Sequence, residues 1–189
     1  MHECRKVVII TGPKSYQAAG HLLEASLQKS GVRFEVVVYS GENSDEEASR
    51  IVSLASKDRN LVIGLGGGKI MDLGKLAAEL MSLPYVTVPT LASNCAPSVP
   101  VAVVYHPDGS YKEARVFSHP PRLTVVDDAV VRAAPLKYFL SGLGDTLAKK
   151  YEARISALES TSIFLVQVGL EIADMIGNRI LDSGKEAVS

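Results

Sequence analysis

The sequence predicts a doubly wound α/β domain with a mostly parallel sheet, followed by the start of an all-helical domain. Three observations carry this. Short β-branched runs alternate with amphipathic stretches over residues 7–88, a glycine cluster joins one such run to the next helix, and no strand pattern recurs beyond Pro135. Strands alternating with helices pair in parallel, because the chain must cross back over the sheet before each new strand begins. The division is expected between residues 1–132, the α/β part, and residues 133–189, the helical part.

Residues 7–10, Val-Val-Ile-Ile, form a buried strand that ends in the turn Thr11-Gly12-Pro13. Residues 15–29 place Ala18, Ala19, Leu22, Leu23 and Leu27 on one helical face, and Gly31 supplies a left-handed cap. A second strand spans residues 34–39. Ser44-Asp45-Glu46-Glu47 opens a second helix as a capping box. A third strand, residues 61–65, runs into Gly66-Gly67-Gly68, with a helix from about residue 70 to 81 and a fourth strand at 85–88. Residues 101–105 and 111–117 flank Pro107-Asp108-Gly109, a hairpin signal, and residues 123–126 give one more strand. The helical part holds a helix at about 145–158 and another at 161–181. The second is apolar along two rows: Ile163, Val166, Leu170, Ala173, Ile176 and Ile180, and then Phe164, Val168, Ile172 and Met175. A helix apolar on two sides expects neighbours on both, and only one other substantial helix is present.

Composition excludes several classes. The 189 residues carry 20 Lys+Arg against 21 Asp+Glu, a near-zero balance that argues against a broad nucleic-acid footprint, which needs a basic face to displace counterions. No apolar run approaches the roughly 20 residues of a membrane-spanning helix. The first residues show no signal-peptide cleavage pattern, and Cys4 and Cys95 make no disulfide framework. A reduced, cytoplasmic protein is the expectation.

Gly64-Leu65-Gly66-Gly67-Gly68-Lys69 lies between a strand and a helix. Glycines let backbone approach a ligand closely, and the helix N-terminus adds positive potential, so the loop reads as a phosphate cradle or as a tight packing turn. It is not a P-loop, which needs Gly where Ile63 stands and Ser or Thr where Ile70 stands. It is not the dinucleotide fingerprint either, whose third glycine would fall on Lys69. Asp72 reads as a favourable first-turn acid. The polar loop of residues 89–98, beyond the fourth strand, is placed either to meet a ligand or simply to connect. His2, His21, His106 and His119 include no pair at zinc-ligand spacing, and no residue set makes a Ser-His-Asp or Cys-His nucleophile. Cys95 reads as a small half-buried side chain rather than a reactive thiol.

Three segments in order, Gly66-Gly67-Gly68-Lys69-Ile70-Met71-Asp72, Val88-Pro89-Thr90-Leu91-Ala92-Ser93 and Ser141-Gly142-Leu143-Gly144-Asp145-Thr146-Leu147-Ala148, resemble the iron-containing (group III) alcohol dehydrogenases. The likeness is to the glycerol dehydrogenase branch, and dehydroquinate synthase shares that fold. The resemblance implies a nucleotide-binding α/β domain and a helical metal and substrate domain. It implies NAD or NADP held through Gly66, Gly67, Gly68, Lys69, Ile70 and Asp72, with Thr90, Ser93, Val99, Val101 and Tyr105 on the nicotinamide side. Asp145 matches a ligand of a divalent metal, zinc or iron, which polarises an alcohol before hydride transfer. The family's two metal-binding histidines lie further downstream than this sequence reaches, so the chain is expected to be a truncated, nucleotide-binding portion, inactive alone and loaded with metal only if those histidines are supplied.

Two further departures shape the expectation. Cys95 stands where glycerol dehydrogenases usually carry a substrate-contacting Asp, a variant resembling the branch that acts on 2-oxo or 2-hydroxy carboxylates. Gly12 and Lys14 stand where NAD-preferring members tend to carry an acid, which implies tolerance of the NADP 2′-phosphate. The substrate class is then a small alcohol, polyol or hydroxy acid. The competing readings are a non-catalytic NAD(P)-binding module and a structural half that works only with a partner chain. A homo-oligomer joined through the two-sided last helix is also expected.

Overall fold

The computed structural model describes residues 6–158, 160 and 162–188. His2, Cys4 and Thr161, the expected first residue of the last helix, lie outside the described residues. The chain forms two compact units, one of Met1–Leu91 with Cys95–Ala134 and the other of Ala92–Asn94 with Pro135–Ser189.

The first unit runs β1 (Lys6–Thr11), α1 (Pro13–Lys29), β2 (Arg33–Val38), α2 (Asp45–Leu54), β3 (Leu61–Gly66), α3 (Gly68–Met81), β4 (Tyr85–Pro89), β5 (Val101–Tyr105), β6 (Tyr111–Val116), β7 (Leu123–Thr124) and α4 (Asp128–Arg132). Strands β2-β1-β3-β4-β7 make one sheet in that order, every pair parallel. Successive side chains of a strand point to opposite faces, and both faces here are covered. Val7, Ile9, Ile63 and Leu65 pack with Ala19, Leu23 and Leu27 of α1. Val8, Ile10 and Val62 pack with Ala48 and Ile51 of α2 and with Ile70, Leu73 and Ala77 of α3. The expected doubly wound α/β fold, with a helical segment after it, is what the chain adopts.

Helix α1 carries the chain from β1 out to β2, and α2 carries it back past β1 to β3. The winding therefore reverses between β1 and β3, and the carboxyl ends of those two strands flank the crevice where open α/β sheets bind ligands.

Several elements depart from the sequence pattern for identifiable reasons. Ser44 Oγ accepts from the Glu47 amide at 3.2 Å as a cap should, but the Glu47 carboxylate does not return to Ser44. It accepts from the Ser40 amide at 2.7 Å and from Arg50 instead, tying the β2–α2 loop down. Strand β7 is only two residues long, and the unexpected α4 follows because Asp127 Oδ1 accepts from the amides of Ala129 and Val130. The β5–β6 hairpin forms as expected, with Gly109 at φ 85° in its turn. It is pinned to α2 by Asp45, whose carboxyl Arg115 and then Lys112 hold down to about 2.

The Tyr85 ring is buried in a slot that only glycines leave open. A Cβ on Gly64 of β3 would lie 2.0 Å from Tyr85 Oη and one on Gly74 of α3 2.3 Å from it, while the hydroxyl donates to the Met71 carbonyl at 3.0 Å. Alanine ordinarily stabilises a helix interior by up to ~1 kcal/mol relative to glycine. Gly74→Ala is expected to do the reverse, destabilising by about 1–3 kcal/mol through overpacking, as measured by denaturant unfolding.

The second unit contains α5 (Leu136–Ser156), α6 (Phe164–Ser183) and a short 3₁₀ turn (Glu186–Val188). Helix α5 starts well before the expected residue 145. Its Ser-Gly-Leu-Gly stretch reads as a poor helix sequence, yet Gly142 is required there: a Cβ would lie 2.0 Å from the Ala92 carbonyl oxygen. Helix α6 packs on α5 through Gly177 against Lys150 and an Arg154–Asp174 ion pair of 2.6 Å. Val166, Leu170, Ala173 and Ile180 of the first row are half-buried but Ile163 and Ile176 are exposed, and Phe164, Val168, Ile172 and Met175 of the second row are all exposed, so the first row is covered over part of its length and the second is not. Among the described residues no helix is long and apolar enough to cross a membrane.

Candidate functional site

At the switch point, short polar side chains lace the strand ends together. Thr11 Oγ1 donates to the Leu65 carbonyl at 2.9 Å, joining β1 to β3. Ser15 Oγ, 3.0 Å from Thr11 Oγ1, accepts from the Gly12 amide at 3.0 Å and so closes the β1–α1 turn. The Thr90 amide donates to the Gly66 carbonyl at 2.9 Å, joining the loop after β4 to β3. The ends of three strands are thus fixed before any ligand arrives.

Helix α3 begins over this framework. Gly67 is its N-cap and Gly68 its first residue, two positions earlier than the sequence pattern indicates. The Ile70 and Met71 amides bond to the Gly67 carbonyl, while helix geometry leaves the Gly68 and Lys69 amides without intrahelical acceptors. Gly66 cannot carry a side chain: its Cβ would sit 2.7 Å from Ile70 Cγ1 and 3.2 Å from Ser15 Oγ. At Gly67 a Cβ would meet only Leu91 Cδ1, at 2.9 Å. The result is a glycine-walled backbone turn with unpaired amides and the positive end of a helix, suited to an anion.

The earlier helix start corrects the expectation for Asp72. It is the fifth residue of α3, not a first-turn acid. One carboxylate oxygen accepts from Lys75 Nζ at 3.0 Å and the other from the Val103 amide at 3.1 Å. Lys75 Nζ also donates to the Val101 carbonyl at 2.6 Å. Burial raises the Asp72 carboxyl pKa, with Lys75 and the Val103 amide opposing. One oxygen is held by β5 directly and the other by Lys75 of α3, which itself donates to β5, so Asp72 acts on the site by fixing that strand. Val101 and Tyr105 lie on the half-buried face of β5, opposite buried Ala102 and Val104, and the Tyr105 amide donates to the Asn43 carbonyl at 2.9 Å. Val99 is half-buried just before the strand.

Lys69 is exposed on the rim, with Nζ 2.8 Å from Glu42 Oε2 and 5.9 Å from the Tyr39 ring centroid. Gly12 is buried, and a Cβ there would lie 3.0 Å from the Tyr39 ring; Lys14, next along α1, is exposed. Cys95 is exposed, not half-buried as its residue type suggests, and its carbonyl accepts from the Ser98 amide at 3.1 Å. Ser93 and Asp145 belong to the second unit. Asp145 lies mid-helix in α5 rather than at a helix start, 3.9 Å from Lys149 Nζ. Among the described residues no group of three or more His, Cys, Asp or Glu could hold a metal ion. Residue patterns did not single out Thr11, Tyr39, Glu42 or Asn43 as site residues. Their signal is topological, since each stands at or just past the carboxyl end of β1 or β2 beside the switch point.

The family described as "Iron-containing alcohol dehydrogenase" matches residues 1–135. The chain is 32% identical over 185 residues to hydroxycarboxylate dehydrogenase A of Escherichia coli (strain K12), covering 97% of this chain and 51% of that one. It is 32% identical over 171 residues to glycerol dehydrogenase of Pseudomonas putida, covering 88% of this chain and 47% of that one. Among solved structures, glycerol dehydrogenase from Schizosaccharomyces pombe aligns with a TM-score of 0.87 at 27% identity, over 98% of this chain and 48% of that one. The chain therefore spans about half the length of the curated relatives it matches. Sequence, topology and the placement of the glycine turn agree that the chain belongs to the iron-containing alcohol dehydrogenase family.

Proposed function

We propose that this chain is the dinucleotide-binding portion of an NAD(P)-dependent, metal-dependent alcohol dehydrogenase that moves a hydride between a nicotinamide and a small polyol or 2-hydroxy acid. The observation that carries the reading is the glycine-walled N-terminus of α3 at the switch point. The pyrophosphate of the dinucleotide takes the Gly68 and Lys69 amides, with Gly66, Gly67 and Ile70 shaping the turn. Gly12 and Lys14 face the adenosine side. Thr90, Val99, Val101 and Tyr105 line the nicotinamide side, where Asp72 and Lys75 keep β5 in place. The nicotinamide, when bound, supplies the hydride acceptor or donor. Cys95, uncharged and exposed, stands on the substrate side and does not repel a carboxylate as an Asp would. The name of the hydroxycarboxylate dehydrogenase relative supports a 2-hydroxy acid, and those of the glycerol dehydrogenases a polyol.

The described residues do not by themselves fit a catalytic metal. Asp145 is one carboxylate beside a lysine, and catalytic zinc sites use about three protein ligands. As a metal ligand Asp145 would need further donors beyond the described residues.

The test is amide hydrogen exchange of the chain with and without NAD or NADP. Slowed exchange centred on residues 66–70 and on the Gly12 turn is expected. Uniform exchange at saturating nucleotide, or slowing confined to α5 and α6, overturns the reading.

A further inference from the structure

The ion pair between Glu42 and Lys69 is unexplained by a phosphate cradle alone. Lys69 is the second residue of α3, where a cation would ordinarily be available to an anion at the helix N-terminus. Its charge is instead compensated by Glu42 Oε2 at 2.8 Å, above the Tyr39 ring. Tyr39 in turn closes against Gly12. Tyr39 and Glu42 follow β2 and Gly12 follows β1, so this cluster lies on the β2 side of the switch point, away from β4. A dinucleotide with its pyrophosphate on the β3–α3 turn and its nicotinamide towards Thr90 has one direction left for its adenosine: across β1 towards β2.

We propose that Glu42 is a specificity-determining residue of this site: its carboxylate stands on the ribose side of the cradle and disfavours a ribose 2′-phosphate, against the attraction of Lys14. The inference rests on the dinucleotide reading above. A 2′-hydroxyl can donate to a carboxylate, whereas a 2′-phosphate brings about −2 charge beside it. Lys69, 2.8 Å from Glu42, acts on the same phosphate with the opposite sign, so the two contributions superpose and removing either charge moves the preference in its own direction. At a separation of about 6 Å in a water-like dielectric, one carboxylate against such a dianion is worth about tenfold in Kd. The rim then carries opposed signals: Lys14 admits NADP and Glu42 limits it.

The experiment measures Kd for NAD and for NADP by calorimetry on the full chain, on Glu42→Gln and on Lys69→Gln. Both side chains are a third or more exposed, so neither substitution opens the core. Glu42→Gln is expected to shift the NADP-to-NAD preference about tenfold towards NADP, and Lys69→Gln to shift it the other way. A general loss of site geometry moves both nucleotides together and leaves the preference alone. Two variants whose preference stays within about twofold of the parent, with both nucleotides still bound, overturn the role of Glu42 and leave the dinucleotide reading standing. A parent chain that binds neither nucleotide overturns both.

Discussion

Gly67→Asp is expected to leave the α/β unit as stable as the parent or more so, and to weaken dinucleotide binding by at least about a hundredfold. The two effects separate because Gly67 is the N-cap of α3, at φ −91° and ψ −171°, an extended backbone that any residue adopts. Aspartate is among the best N-cap residues, since its carboxylate accepts from the amides of the first turn. Those amides are the ones proposed to hold the pyrophosphate, so the same carboxylate occupies the anion position with a like charge. The added Cβ meets only the tip of Leu91, at 2.9 Å. Denaturant unfolding paired with calorimetric titration checks both halves. A variant that binds NAD as tightly as the parent removes this turn from the site.

Asp72→Ala is expected to cost about 3–5 kcal/mol of stability, the usual range for breaking a buried ion pair. The Lys75 side chain is only 4% exposed and that of Asp72 13%, so removing the carboxylate leaves an ammonium with the Val101 carbonyl alone. It also frees the Val103 amide, loosening β5 where the nicotinamide side is proposed. The pair Asp72→Leu with Lys75→Met is expected to recover most of the loss, because no buried charge then remains. Urea midpoints of the three variants decide this.

The pH dependence of these carboxylates has opposite signs. Burial raises the folded pKa of Asp72, so its titration favours the folded state below the unfolded value and that contribution is lost as pH rises through the folded pKa. Arg115 and Lys112 hold Asp45 at about 2, so its contribution is present above about pH 4 and lost as pH falls towards 2. Asp45→Asn is therefore expected to flatten the acid limb of the stability curve, and Asp72→Asn to leave that limb in place.

The parallel sheet was legible because its strands are buried on both faces and read as unbroken apolar runs, Val7 to Ile10 most plainly. The glycine turn was legible because it interrupts strand-to-helix periodicity. What escaped is what depends on three-dimensional neighbours. The helix was expected only from about residue 145, and the pattern does not show that Gly142 sits inside it against the Ala92 carbonyl. Asp72 read as an N-terminal acid because the pattern cannot tell whether α3 starts at residue 68 or 70. Glu42 carried no site role in the sequence, since only the sheet order brings it beside Lys69. The three motif segments carried the family, while the site residues among them could be sorted only once Asp72 was found facing β5.

Whether the β3–α3 turn binds a dinucleotide is decided by titrating NAD into the full chain by calorimetry. Saturable binding at one site per chain is expected, lost in Gly67→Asp with no loss of stability. A folded chain that releases no heat of binding with NAD or NADP, or one whose binding survives Gly67→Asp, contradicts it.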